Sequence, residues 1–360
     1  MAVHDPARGR AQGEGERVTL ADLLAGIVVV SLNAYVLLAG ADFGGGVWDL
    51  FASGPRRRDQ RALVAEAIGP VWEANHVWLI LAVVLLFSCF PAAFAQLSIR
   101  LHIPLSLALI GIVLRGSAFA FRSYGGLRDD VQRNWGRLFA IASVVTPLLL
   151  GMAVGAVATG SVGDVGRATG EGFYAVYVAP WLNPFALSVG VFTLACFAFL
   201  AAAYLTLEST DPELRADFRR RAFGAGVAVI MLGAVVLALS RAAAPSLHQG
   251  LLGVPWVSPL HLLTGATAVG GLAALWLGRW QAARIAAASE VSLILWGWAI
   301  GQYPYLVPPD FTIAGSAAPR VTLVLALGAL GLGALVLFPS LYYLFHLFKG
   351  PAHAALDHED

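Results

Sequence analysis

The sequence contains few charged residues and few cysteines. Asp, Glu, Lys and Arg make up 12% of its 360 residues, compared with about 25% in an average soluble domain. The formal net charge of +1 lacks the basic excess of nucleic-acid-binding proteins, so we expect no nucleic-acid partner. Cys89 and Cys196 both lie inside apolar runs, where cysteine behaves as a small buried hydrophobe. We therefore expect no disulfide and no metal site.

Hydrophobic residues are abundant instead, at 58% of the chain, and the mean hydropathy is +0.74. A membrane span requires ~20 apolar residues, and nine runs are long enough. We therefore predict an all-α integral membrane protein, a polytopic bundle of about nine transmembrane helices. The predicted helices are Asp22–Phe51, Asn75–Leu97, Leu101–Phe121, Arg137–Thr159, Asn183–Leu207, Phe223–Ala244, Ser258–Gly278, Ala286–Leu306 and Val321–Phe348.

The chain is predicted to form one domain. Residues 1–20 have the composition of a disordered tail, residues 21–349 form a single transmembrane helical domain, and residues 350–360 form a short tail. The apolar run Leu23–Leu38 is longer than the core of a signal peptide, and no small-residue cleavage signal follows it, so we expect helix 1 to be retained. Gly297, Gly301 and Pro304 predict a kink in helix 8.

The positions of the basic residues predict the orientation, because positively charged loops stay in the cytoplasm. Sixteen of the 23 Lys and Arg residues lie on one predicted side of the membrane, in or near the odd-numbered loops and the C-terminus. This distribution predicts an N-terminus outside and a cytoplasmic C-terminus. It also places Asp42 and Glu73 toward the cytoplasmic surface.

Asp42 and Glu73 are acids at the ends of the first two apolar runs. A carboxylate in hydrocarbon costs ~2.5–3.5 kcal/mol on insertion scales, so such an acid indicates a proton or ion site. Glu73 could form a proton relay with His76, three residues later, or stabilise a helix N-terminus. Asp42 could instead bond to a neighbouring Asn or Ser, and the glycines around it permit close helix approach. Those glycines lack the Lys-Ser/Thr ending of a phosphate-binding loop.

Histidine and arginine are the other polar residues of interest. An intramembrane His is the usual axial ligand of haem, but no two of the four candidates share a helix at a suitable spacing, so we favour a packing role. Arg115 and Arg122 lie seven apart on one helical face. We expect the deeper Arg115 to pair with Asp42 or Glu73 and Arg122 to reach lipid phosphate. The four histidines are His76, His102, His261 and His346.

Several longer motifs occur in order along the chain. They are Gly40–Gly46 (GADFGGG), Pro70–Leu79 (PVWEANHVWL), Arg115–Ser123 (RGSAFAFRS), Leu182–Leu187 (LNPFAL), Tyr303–Pro308 (YPYLVP) and Pro339–Tyr343 (PSLYY). Together they resemble subunit II of the cytochrome bd quinol oxidases, over about Leu23 to Lys349. Glu73 stands where relatives often carry Asp, and His76 where some carry Gln, which weakens the case for a relay through His76.

The resemblance implies a bacterial cytoplasmic-membrane complex that oxidises quinol and reduces dioxygen to water. Haem b and haem d are then expected in subunit I, and this chain is its haem-free partner. Membrane lipids surround the complex. A small accessory membrane subunit is a further candidate partner. It implies a cytoplasmic proton pathway through Asp42 and Glu73. Trp72 and Arg115 become candidates for contact with a structural quinone or another subunit. The alternative is a secondary transporter, which also carries intramembrane acids and broken helices.

Overall fold

A computed structural model describes residues 18–68, 72–123, 129–163, 170, 172–253 and 257–349. Nine helices in this part of the chain are long and apolar enough to cross a membrane, as predicted. The helices are α1 (Leu20–Leu50), α2 (Arg57–Ile68), α3 (Trp72–Asn75), α4 (Val77–Cys89), α5 (Pro91–Arg100), α6 (His102–Ser123), α7 (Asp129–Ala158), α8 (Phe173–Tyr177), α9 (Pro184–Glu208), α10 (Pro212–Ala243), α11 (Pro245–Leu252), α12 (Ser258–Trp276), α13 (Trp280–Gln302), α14 (Ile313–Ser316) and α15 (Arg320–Lys349). Residues 1–17 of the predicted tail, and all of 350–360, lie outside the described residues.

The predicted second helix is not continuous. The chain breaks at His76, between α3 and α4, and again at Phe90, before α5. Pro91 begins α5, because proline has no amide hydrogen and fits the first turn of a helix, where that hydrogen would have no partner. The first break places Asn75 at the end of a short helix, so its side chain can reach α1.

Two other predictions about the helices are wrong, and one helix was missed. The helix predicted from Phe223 begins at Pro212, behind an Asp211 cap whose carboxylate accepts a hydrogen bond from the Glu213 amide. The predicted kink at Pro304 is absent, because α13 ends at Gln302. The amphipathic helix α2 was not predicted at all. It buries Gln60, Val64 and Ile68, a spacing of four residues that places all three on one face.

A short hairpin follows α13. Its strands are β1 (Tyr305–Val307) and β2 (Phe311–Thr312), which pair antiparallel with Tyr305 opposite Thr312 and Val307 opposite Phe311. The hairpin sits at the end of α13 opposite to Trp280, so it lies on the predicted outer side of the bundle.

α9 occupies the centre of the bundle. It packs against α1, α7, α10 and α13, and most of its second half is buried, including the alanine run 201–203. At the periphery, α15 is apolar but largely exposed, with only 6% of its most apolar stretch buried inside the chain. α15 therefore presents its apolar side chains outward.

Candidate functional site

Asp42 lies in the second half of α1, with 6% of its surface exposed. Asn75, itself 3% exposed, donates a hydrogen bond from Nδ2 to Asp42 Oδ2 at 2.7 Å. The predicted alternative of an amide partner for Asp42 is therefore confirmed. This bond does not exclude proton chemistry, because an amide can donate to a carboxylate or to the carbonyl oxygen of a carboxylic acid.

The glycines around Asp42 allow the helices to approach closely, as predicted. A Cβ atom added to Gly44 would collide with the backbone carbonyl oxygen of Phe197 on α9, and one added to Gly46 would collide with the Ser143 side chain on α7. Backbone atoms cannot move aside as a flexible side chain can. Asp42 is thus held in a rigid contact between three helices.

Arg115 is enclosed beside Asp42, with 1% of its surface exposed. Its Nε donates to Ser143 Oγ at 3.1 Å, and its guanidinium carbon lies 4.8 Å from the Phe43 ring centroid and 5.1 Å from that of Phe139. The negative charge of Asp42 interacts electrostatically with the Arg115 guanidinium. Its burial argues against the predicted contact with a quinone or another subunit.

Arg122 does not reach lipid phosphate, so that prediction is wrong. Its Nη1 lies 3.0 Å from Oδ1 of Asp49, an acid that is 1% exposed. Arg61 on α2 approaches the same carboxylate oxygen at 3.7 Å. Asp49 was not among the predicted site residues, although it follows Asp42 by seven residues on α1 and therefore shares its helical face.

Three polar atoms around Arg115 are buried without a hydrogen-bond partner in the described part of the chain. They are Tyr35 Oη, His76 Nδ1 and Arg115 Nη2. The rings of Tyr35 and His76 are 5.7 Å apart, and Arg115 interacts electrostatically with both. Buried polar groups are normally satisfied by protein or by internal water. This arrangement therefore suits a hydrated, hydrogen-bonded cluster, which we name the polar cluster: Tyr35, Asp42, Asn75, His76, Arg115 and Ser143.

Glu73 and Trp72 lie beside this cluster. Glu73, in the first turn of α3, is exposed on this chain, so the interpretation of it as a buried carboxylate is wrong for the chain by itself. The Trp72 ring is partly buried against α6, where a Cβ on Gly116 would lie 2.7 Å from it. Its centroid is 6.1 Å from that of Phe119. Trp72 thus packs between helices.

Two of the other three candidate histidines have local partners. His102 Nδ1 lies 2.9 Å from the Ile99 carbonyl oxygen, and its ring meets Tyr177 edge-on at 5.2 Å. His261 Nδ1 lies 3.1 Å from the Val257 carbonyl oxygen. These contacts agree with the packing role favoured for the histidines. The side chain of His346 lies outside the described residues.

A cavity of about 170 Å³, which we name the vestibule, opens beside the polar cluster between α1, α2, α3, α9 and α13. Its walls are mainly apolar and include Leu38, Val64, Ala67 and Leu205. Its polar lining residues are Asp42, Asn75, Tyr204, Glu208 and Arg284. Phe197 contacts Gly44 near the level of Asp42, and Glu208 lies eleven residues further along α9. At 1.5 Å per residue this places Glu208 about 16 Å away along the helix axis.

The vestibule opens near an arginine-rich face. There, Arg56 binds Glu213 at 2.6 Å and Asp217 at 2.8 Å, which fixes the segment before α2 to α10. The hydrogen bond to Asp217 raises the pKa of Arg56 above its usual value, so this residue stays cationic. This is the side on which the sequence analysis found most of the basic residues.

The chain matches a known protein family. The family model described as cytochrome bd terminal oxidase subunit II matches residues 20–348. The chain belongs to that family. The resemblance found in the sequence motifs is therefore confirmed.

Two curated relatives show how far the similarity to family members extends. "Cytochrome bd ubiquinol oxidase subunit 2" of Bacillus subtilis strain 168 is 29% identical over 64% of this chain and 64% of its own length. "Cytochrome bd-I ubiquinol oxidase subunit 2" of Escherichia coli strain K12 is 29% identical over 60% and 54%. The matched region thus spans less than two thirds of either relative.

The fold also has a solved neighbour. A chain of the bd oxidase from Geobacillus thermodenitrificans superposes with a TM-score of 0.71 at 23% identity, covering 91% of this chain and 98% of that one. This similarity supports the predicted all-α membrane fold. The orientation of the termini remains a prediction from the positions of the basic residues.

Proposed function

We propose that this chain is the haem-free subunit of a cytochrome bd-type terminal oxidase, which oxidises quinol and reduces dioxygen to water. Membership of the subunit II family and the names of the curated relatives support the proposal. The secondary-transporter alternative is not favoured, because the family match runs through nearly the whole membrane domain. Haem b and haem d, carried by subunit I, would supply electron transfer and dioxygen reduction.

The proposed assembly is a one-to-one heterodimer with subunit I in the bacterial cytoplasmic membrane. A small accessory subunit could bind this heterodimer. The outer helices support it, since α15 exposes large apolar side chains such as Leu332, Leu335 and Tyr342. Lipid or a second membrane subunit can cover such a surface, and water cannot do so without cost. α4 and α6 expose similar side chains, including Phe87 and Ile110.

Within the complex, we propose that Asp42 carries protons toward the site of dioxygen reduction. The observation that carries this proposal is the position of Asp42 at the contact between the vestibule and the polar cluster. Dioxygen reduction consumes protons at a buried site, so titratable groups and water must connect that site to a surface. Asp42 has an amide partner, a nearby guanidinium and buried polar atoms around it that water can join.

Glu73 is the proposed second group of this pathway. It lies two residues before Asn75 and is exposed on this chain. An exposed acid on a membrane helix fits a position at the contact with subunit I, where it would pass protons onward. Trp72, packed between α3 and α6, would hold α3 in place.

Replacing Asp42 with Asn tests the proton role, because the amide keeps the shape of the side chain and removes its titratable proton. We expect normal haem absorbance in the purified complex and quinol oxidase turnover at least about tenfold lower, since a positioned proton-transfer group contributes roughly 10²–10⁴-fold. Asp22→Asn, the same change at the start of α1, is the matched control. Asp42→Asn turning over like that control, or losing haem and assembly instead, would count against the proposal.

A further inference from the structure

The rim of the vestibule carries an ion pair that the proton role of Asp42 does not by itself explain. Arg284 Nη1 on α13 lies 3.7 Å from Glu208 Oε1 at the end of α9, and the two side chains are 40% and 39% exposed. The Arg284 guanidinium carbon also lies 4.9 Å from the ring centroid of Tyr204. The pair is therefore in contact with solvent and with the cavity at once.

The vestibule is large enough to hold water and has polar side chains at both ends. Between the rim and Asp42 the walls are mainly apolar, so the acids stand at its two ends. A cavity needs only about 10–15 Å³ of space for one water centre, provided polar groups are present to bind it. The vestibule offers about 170 Å³, which is room for several waters between Glu208 and Asp42.

We propose that the vestibule is the water-filled entrance through which protons reach Asp42, and that Glu208 is the group that collects them at its rim. Arg284 holds the Glu208 carboxylate over the opening, and Tyr204 supports the guanidinium. This inference rests on the proposed role of Asp42 and adds a location and a receiving residue. The proton donor is water or hydronium from the arginine-rich side, and no covalent step is involved.

Two substitutions separate a proton role for Glu208 from a structural one. Glu208→Gln removes the titratable proton, and Glu208→Asp retains it. In the purified complex with normal haem absorbance, we expect Glu208→Gln to lower turnover at least about threefold, a partial loss because the rim is open to solvent, and Glu208→Asp to restore most of it. The double variant with both Asp42→Asn and Glu208→Gln should turn over almost as fast as Asp42→Asn alone. Losses at two steps of one pathway are not additive, whereas losses at independent sites are.

Filling the cavity tests the route itself. Ala67→Phe on α2 places a ring in the vestibule, whereas Ala62→Phe places the same ring on the exposed face of that helix. We expect Ala67→Phe to slow turnover by about as much as Glu208→Gln and Ala62→Phe to leave it near the parent value.

The results distinguish the two proposals. If Asp42→Asn turns over normally, the proton role of Asp42 fails and the entrance fails with it. If Asp42→Asn is slow but Glu208→Gln and Ala67→Phe are not, only the entrance is wrong. Equal losses in Glu208→Gln and Glu208→Asp, or a fully additive double variant, would make Glu208 structural and also overturn the inference.

Discussion

Asp42 and Asp49 are two buried acids on one face of the same helix, and they differ in what surrounds them. Asp49, 1% exposed, is held by Arg122 at 3.0 Å and Arg61 at 3.7 Å. Asp42, 6% exposed, accepts a hydrogen bond from the neutral amide of Asn75 and borders a cavity. Asp49 therefore has two cationic partners, and Asp42 has a neutral hydrogen-bond partner. Asp42 also borders a cavity with room for the water that a proton relay needs, so burial alone does not identify a proton site.

The largest expected effect comes from removing Arg115, a buried cation that interacts electrostatically with Asp42. Arg115→Gln would remove a positive charge that acts on the buried Asp42 and the donor to Ser143 Oγ, and leaving a buried charge uncompensated costs about 3–5 kcal/mol. Arg122→Gln would cost less, because Arg122 is 20% exposed and Asp49 keeps Arg61. The yield of assembled, haem-containing complex measures both. Equal yields would remove the distinction between the deep and the shallow arginine.

The second largest effect is expected for Asp49→Asn, which should lower the stability of the complex without changing its catalytic turnover. Loss of its charged hydrogen bonds should lower the free energy of unfolding by about 1.5–3 kcal/mol. We expect a lower melting temperature of the complex and an unchanged turnover per haem. Slower turnover per haem at Asp49→Asn would show that both acids serve the reaction, and the comparison would then fail.

Asn75→Leu tests the amide partner of Asp42. One hydrogen bond is worth about 0.5–1.5 kcal/mol, so misplacing Asp42 should lower turnover by roughly two- to tenfold. Asn33→Leu on α1, whose Oδ1 is a buried acceptor elsewhere in the bundle, is a control for the loss of a buried amide. A similar fall in turnover in both variants would point to general disturbance of the membrane domain.

The smallest effect is expected at Glu73. An exposed acid exchanges protons with its surroundings and can be bypassed by water, so Glu73→Gln should slow turnover less than Asp42→Asn does. Turnover of the two variants, measured at one quinol concentration and normalised to haem, checks the order. The opposite order would make Glu73 the central group of the pathway.

Part of this site could be predicted from the sequence. Asp42, its glycines and the importance of Arg115 followed from charge and small residues inside an apolar run, because the membrane makes such residues costly without partners. The Asp49–Arg122 pair was missed, although the seven-residue spacings on α1 and α6 were visible. Glu73 was assigned to the interior because sequence alone does not tell which side of a helix faces the bundle.

The vestibule could not have been predicted in this way. Glu208 and Arg284 lie far apart in the chain and meet only because α9 and α13 pack together. Their surroundings in the sequence look like ordinary helix ends, where a charged residue commonly meets water. The cavity is lined by side chains from five helices, and the pattern of residues along one helix does not tell how much space the side chains of all five leave between them.

Proton uptake during a single turnover tests the central claim most directly. The reduced complex is mixed with dioxygen in weakly buffered solution containing a pH-indicator dye, so that proton uptake and haem oxidation are recorded together. We predict that Asp42→Asn slows proton uptake and the haem step that depends on it, whereas Asp49→Asn leaves both at the parent rate. Uptake at the parent rate in Asp42→Asn would contradict the account.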